Sequence, residues 1–211
     1  MQGVDFVISS GIISDIEVPT DAQLDELPRE VARVVREFTV SNSIAGGSGT
    51  APSGDADYNG TFAFGFDGED NDASVAGDIN VTVDFLEGLV TGQMSAITVY
   101  DDDGEQLTTN GGVLEIRGET PDNKFTASAQ GDILLEGETY GIDAALAGDF
   151  AGEGFARGLG TINGTVSNPD GSDEGLEGLY VFEKLEDSVV TGPTMTNVND
   201  FRAILINSPA S

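Results

Sequence analysis

The chain has 211 residues, with 38 acidic side chains against 8 basic ones, a formal net charge of −30, and no histidine, cysteine or tryptophan. That length suits one folded core with an appendage. The missing residue types exclude disulfides, thiolate zinc sites and imidazole bases, and the negative field excludes nucleic acid and anionic lipid surfaces as partners.

Charge of this size also keeps a protein soluble in strong salt, where screening shortens its reach. No apolar run has the ~20 residues needed to span a bilayer. The start, Met1-Gln2-Gly3-Val4-Asp5, shows no basic region followed by an apolar core, so no signal peptide is legible there.

Residues 3 to 18 begin as an extended segment, with Val4, Phe6 and Ile8 on one face. Gly11 can turn it into a hairpin that continues through Ile12, Ile13, Ile16 and Val18. The result is an apolar arm that needs a covering surface.

Pro19-Thr20-Asp21 predicts a helix start with Thr20 as the N-cap, and Pro28 predicts a break or restart. From there Leu27, Val31, Val34, Val35 and Phe38 form one apolar stripe of an amphipathic helix. Arg29, Arg33 and Arg36 share the other side. Two readings of them stay open: a solvated face with local pairs such as Arg33 with Glu37, or docking onto an acidic surface of this molecule or a neighbour. Ser41 to Asp57 reads as a linker, through Gly46-Gly47-Ser48-Gly49.

Short strands then follow one another from Tyr58 to Lys184. Tyr58, Phe62, Phe64 and Phe66 share one parity, as do Val75, Ile79, Val81, Val83 and Phe85. Further strands run through Met94 to Tyr100, Val113 to Arg117, Lys124 to Ala129 and Ile133 to Leu135. Tyr140 to Leu146, a glycine-dense stretch from Phe150 to Val166, and Leu179 to Phe182 complete the series. The 29 glycines predict bulges, corners and turns.

The fold class is all-β: an antiparallel up-and-down barrel of about eight strands, with an N-terminal strand and helix extension. The division is an arm over 1–57, a barrel over 58–186 and a strand-like tail over 187–211. Phe62, Phe64, Val81, Val83, Phe85, Ile142, Leu146 and Tyr180 are the expected core. The tail carries the run Phe201 to Ile206, in which Phe201 and Leu205 are expected, like the arm, to meet a partner surface.

Several spaced motifs stand together in this stretch. They are Tyr58-x-Gly60-x-Phe62, Val81-x-Val83-Asp84-Phe85-x-x-Gly88, Gly148-Asp149-Phe150-x-Gly152, Gly158-x-Gly160-x-x-x-Gly164 and Glu177-Gly178-Leu179-Tyr180-Val181-Phe182. Over about residues 58–184 the pattern resembles the C-terminal barrel of transferrin-binding protein B-like bacterial surface proteins. The resemblance implies an eight-stranded antiparallel barrel and a surface-exposed binding role. It departs at Phe150-Ala151-Gly152-Glu153-Gly154-Phe155, where the family carries an aromatic-glycine-proline signature, and in the absence of an acylated cysteine. Iron or haem capture does not carry over with the fold.

No constellation for catalysis is legible, so the chain is expected not to be an enzyme. No cofactor is expected; calcium is the one ion left open, at Asp101, Asp102 and Asp103, although the spacing is not that of an EF-hand. Two functions remain. One is a secreted or cell-surface module that recognises a protein or small ligand through barrel loops. The other is a self-assembling subunit of a virion, fibre or surface layer, a homo-oligomer joined through its apolar arms and its arginine stripe.

Overall fold

In the computed structural model, residues 20–44, 51–66, 73–101, 103–121, 124–135 and 137–185 are described. Two helices, α1 (Asp21–Asp25) and α2 (Arg29–Ile44), precede nine strands. These are β1 (Asp55–Phe66), β2 (Ala73–Asp84), β3 (Leu89–Tyr100), β4 (Gln106–Thr109), β5 (Gly112–Glu119), β6 (Lys124–Leu135), β7 (Glu138–Ala151), β8 (Arg157–Ser167) and β9 (Asp173–Lys184).

The sheet order is β2-β1-β9-β8-β7-β6-β5-β3-β4, and β2 also pairs with β3, which closes the ring. Every pairing is antiparallel. The barrel thus has eight staves. β4 is not a ninth: β5 pairs with Leu89–Met94 of β3, and β4 pairs with Thr98–Tyr100 of the same strand. The two are lengths of one stave, interrupted at Asn110, whose φ is 56°.

Alternation decides which side chains fill the barrel. Tyr58, Phe62, Phe64, Val81, Val83, Ile142, Leu146 and Tyr180 are all buried in one core. Phe85 packs against the same core from just beyond β2. It lies in the β2–β3 turn, half-buried, with its ring 5.4 Å from Phe150 and 5.6 Å from Phe155.

Many glycines serve a purpose that turn chemistry does not predict. Gly131 lies inside β6, which runs unbroken where two short strands were expected. A Cβ at Gly60 would meet the Val181 carbonyl, and one at Gly158 would enter the Phe182 ring. These glycines let neighbouring backbone and rings close against the strand.

The helices lie outside the ring. Thr20 caps α1 through a capping box, donating its N–H to Gln23 Oε1 at 2.9 Å while its hydroxyl accepts the Gln23 N–H at 3.4 Å. Pro28 restarts the helix, and its carbonyl accepts the Ala32 N–H at 2.9 Å. Leu24, Val35 and Phe38 pack on the outward-facing Leu159, Leu179 and Val181; Val31 and Val34 pack on Ala63, Ala76 and Tyr100. Strand positions of both parities are therefore buried over Thr61–Phe64 and Gly178–Phe182. The expected linker is shorter than its composition implies, because α2 runs to Ile44 and β1 begins at Asp55, with Ala56 buried opposite Val83.

Two substitutions test this packing with opposite signs. Gly60→Ala forces β1 away from β9 and is expected to lower stability by ~1–3 kcal/mol. Ala96 is exposed and has φ 52°, so Ala96→Gly is expected to relieve left-handed strain and raise stability by up to ~1 kcal/mol. Urea midpoints measure both; equal destabilisation by the pair would refute the account.

Candidate functional site

An up-and-down barrel sends alternate connections to opposite ends. The ends of β1, β3, β6 and β8, from which the segments 67–72, 101–105, 136–137 and 168–172 lead on in sequence, lie at one end. By sequence these four segments contain ten Asp or Glu and no Lys or Arg. The basic residues of the barrel, Arg117, Lys124, Arg157 and Lys184, all stand at or next to the opposite end. The four connections at one end are therefore anionic by sequence, while the start of α2 brings exposed Arg29 close by, since Pro28 lies against Gly104.

Local hydrogen bonds shape the acidic turns. Asp101 Oδ1 accepts the N–H groups of Asp103 at 3.1 Å and Glu105 at 2.7 Å, an Asx turn that closes the β3–β4 connection. Asp170 Oδ1 accepts the N–H and the hydroxyl of Ser172 at 2.8 and 2.7 Å. The Ser172 N–H above all, then its hydroxyl, holds the Asp170 carboxyl below its ordinary range. Glu174 has the inward parity of β9; its Oε1 accepts from Asn168 at 2.7 Å, and its Oε2 is shielded from water without a hydrogen bond.

The calcium expectation meets this geometry at two residues. Asp101 is engaged in the turn, Asp103 is exposed, and Asp102 lies outside the described residues. Among the described residues no three acidic side chains converge as a metal site would require.

The opposite end is plugged by aromatic rings. Phe155, at φ 55°, turns its ring inward to stack on Phe150 at 5.4 Å, and Tyr58 donates its hydroxyl to the Phe155 carbonyl at 3.0 Å. Burial pushes the Tyr58 hydroxyl well above its ordinary value. Tyr180 is fully enclosed with no hydrogen-bond partner, and burial, then the nearby Asp149 charge, raises it strongly. Tyr100, beneath α2, is raised by burial and by Glu30, with Arg33 opposing.

Of the predicted partner residues, Arg29, Arg33 and Arg36 are among the described residues, all on α2. Arg33 pairs with Glu30 at 3.0 Å and approaches Glu37 at 3.9 Å; Arg36 approaches Asp25 at 3.6 Å. These are local, solvated pairs on the helices, worth ~0–1 kcal/mol each. Arg29 is exposed at the start of α2. Val4, Phe6, Ile8, Ile12, Ile13, Ile16, Phe201 and Leu205 lie outside the described residues. Sequence reasoning missed the segregated acidic end. Tallying charge over every second connection of a meander would have found it.

The class that fold and surface define is an acidic eight-stranded meander barrel with an external helical cover. No helix among the described residues is long and apolar enough to cross a membrane. No family model matches the chain. A curated protein of Agrobacterium vitis, provisionally named a hydroxypyruvate reductase, is 40% identical over 81 residues, which make up 37% of this chain and 20% of that protein. The chain thus spans about a fifth of that relative's length.

Among solved structures, the chain is similar to two mutant forms of the vaccine antigen Transferrin Binding Protein B from Haemophilus parasuis. One is 20% identical with a TM-score of 0.45, covering 65% of this chain and 28% of the other. The second is 19% identical with a TM-score of 0.46, covering 67% and 29%. The likeness concerns the barrel fold, which the strand register establishes by itself.

The buried tyrosines set a pH dependence. Their folded values are raised, so their stabilisation is complete below about pH 10, where unfolded tyrosine begins to ionise. Stability should fall as pH rises above that, and chemical denaturation at stepped alkaline pH measures it. Tyr180→Phe removes an unpartnered hydroxyl and should leave stability unchanged or raise it by ~1 kcal/mol. Self-repulsion predicts a melting temperature that climbs as NaCl rises towards ~1 M; a fall would mean that attractive pairs dominate.

Proposed function

We propose that this chain is a non-enzymatic binding module, exposed at the cell surface or released into the medium, whose acidic-end loops recognise a cationic face of a partner protein. The observation that carries the reading is the division of charge. Four connections at one end are anionic without exception, and the barrel bases stand at the other. Supporting it, the interior is filled by packed side chains, which directs recognition to the outer surface.

The chain has no histidine or cysteine to serve as base or nucleophile. The reductase named among its relatives is matched over a fifth of its length, and its activity is not part of this reading. A surface or extracellular setting goes with an acidity suited to solubility in salt.

Immobilised chain should retain a basic protein from the surface and medium fractions of the source organism, releasing it as salt rises. The variant Asp101→Asn/Asp103→Asn/Asp170→Asn should lose that protein, while Glu87→Gln/Glu153→Gln, at the other end, should keep it. Retention by the first variant would refute the reading. Turnover of hydroxypyruvate with NADH or NADPH would end the non-enzymatic part of it.

A further inference from the structure

Closing the ring pairs the staves along most of their length, but β4, the upper length of the β4–β5 stave, is the terminal member of the sheet order, paired with β3 alone among the described residues. It rises past Gly111, whose carbonyl accepts the Leu134 N–H at 2.6 Å, and β6 ends one residue later, at Leu135. Above that level β4 borders a sheet that continues through β3, β2 and β1, and among the described residues its far side pairs with no strand.

An apolar step lies beneath this edge. Val113 and Leu134 point outward and are 49% and 48% exposed. Val113 faces Asp132, which stands two residues before Leu134, so the two are diagonal neighbours across β5 and β6. Leu107, by contrast, packs towards the core.

We infer that the β4 edge, with the Val113–Leu134 step below it, is the line on which an extended, cationic segment of a partner protein adds as a strand. Main-chain hydrogen bonds to β4 would give affinity, and alternate side chains would rest on the apolar step. Charge selects the occupant. The acidic surroundings are Asp101, Asp103, Glu105, Asp132 and Glu138, against one base nearby, Arg29, which follows the Pro28 that lies against Gly104. The chain's own ends are unsuited: residues 1–19 hold three acids and no base, and residues 186–211 hold three acids and one base. A second copy brings a charge of −30. A foreign segment alternating Lys or Arg with apolar residues fits both the field and the step. The inference deepens the proposed function and rests on it.

The probes are the peptide Lys-Val-Lys-Val-Lys-Val-Lys and the equally charged Lys-Pro-Lys-Val-Lys-Pro-Lys, whose prolines prevent strand pairing. At about 0.15 M salt, where surface attraction is screened beyond ~8 Å, the full chain should bind the first at least about tenfold more tightly. Amide exchange should slow at Gln106–Thr109, and Thr108→Pro, on the upper length of the β4–β5 stave, should abolish the difference between the peptides. Equal affinities, with protection elsewhere on the acidic end, would overturn the edge and leave the broader function standing. Binding of neither peptide would overturn both. Concentration-dependent self-association that protects the same amides without peptide would replace the foreign strand with a second copy and overturn the inference.

Discussion

The structure depends on rings lying flat against strand backbone inside a closed barrel. Eight staves enclose a space just wide enough for side chains, and this chain fills much of it with phenylalanine and tyrosine. Room for them comes from glycines on facing strands. Gly148 pairs with Gly160, Gly160 pairs with Tyr180, and the Tyr180 hydroxyl sits where Cβ atoms at those glycines would be. Phe182 uses Gly158 in the same way. Large and absent side chains are thus complementary, and neither pattern makes sense without the other.

That filling shapes what the molecule can do. With buried side chains packed together in its interior, the barrel is a mount for the connections at its rims. There the meander sorts connections by parity, so a difference in turn composition becomes a difference between two ends of a solid body. Separated in this way, like charges act as one field rather than as scattered solvated turns.

Much of this was legible from the chain. Alternation located nearly all inward residues, and Thr20, Pro28 and the stripe from Leu27 to Phe38 specified the helices, because caps and periodicity are local. What escaped was non-local. Gly131 reads as a turn until the strand facing it is known, since its constraint is the Val113 carbonyl. Leu179 and Val181 break the inward-only pattern of β9, a visible sign that something covers the outer wall, but their partner on α2 lies far away in sequence. At the candidate site, individual carboxylates were visible while their grouping was not, because grouping follows from which connections share an end.

The placement of α2 has a consequence for how the ring holds together. β1 and β9 are the first and last strands, and their pairing is the seam where the barrel joins itself. α2 packs across that seam, resting on both strands. Thr61 of β1 also donates a hydrogen bond to Glu37 of the helix at 2.9 Å. Joining these strands requires the contact most distant in sequence, which is slow to find. The helix gains its full platform only once that contact exists. It therefore acts as a latch: unzipping at the seam must strip away the apolar face of α2 together with the ladder bonds, which makes the weakest point of a meander barrel its most guarded one.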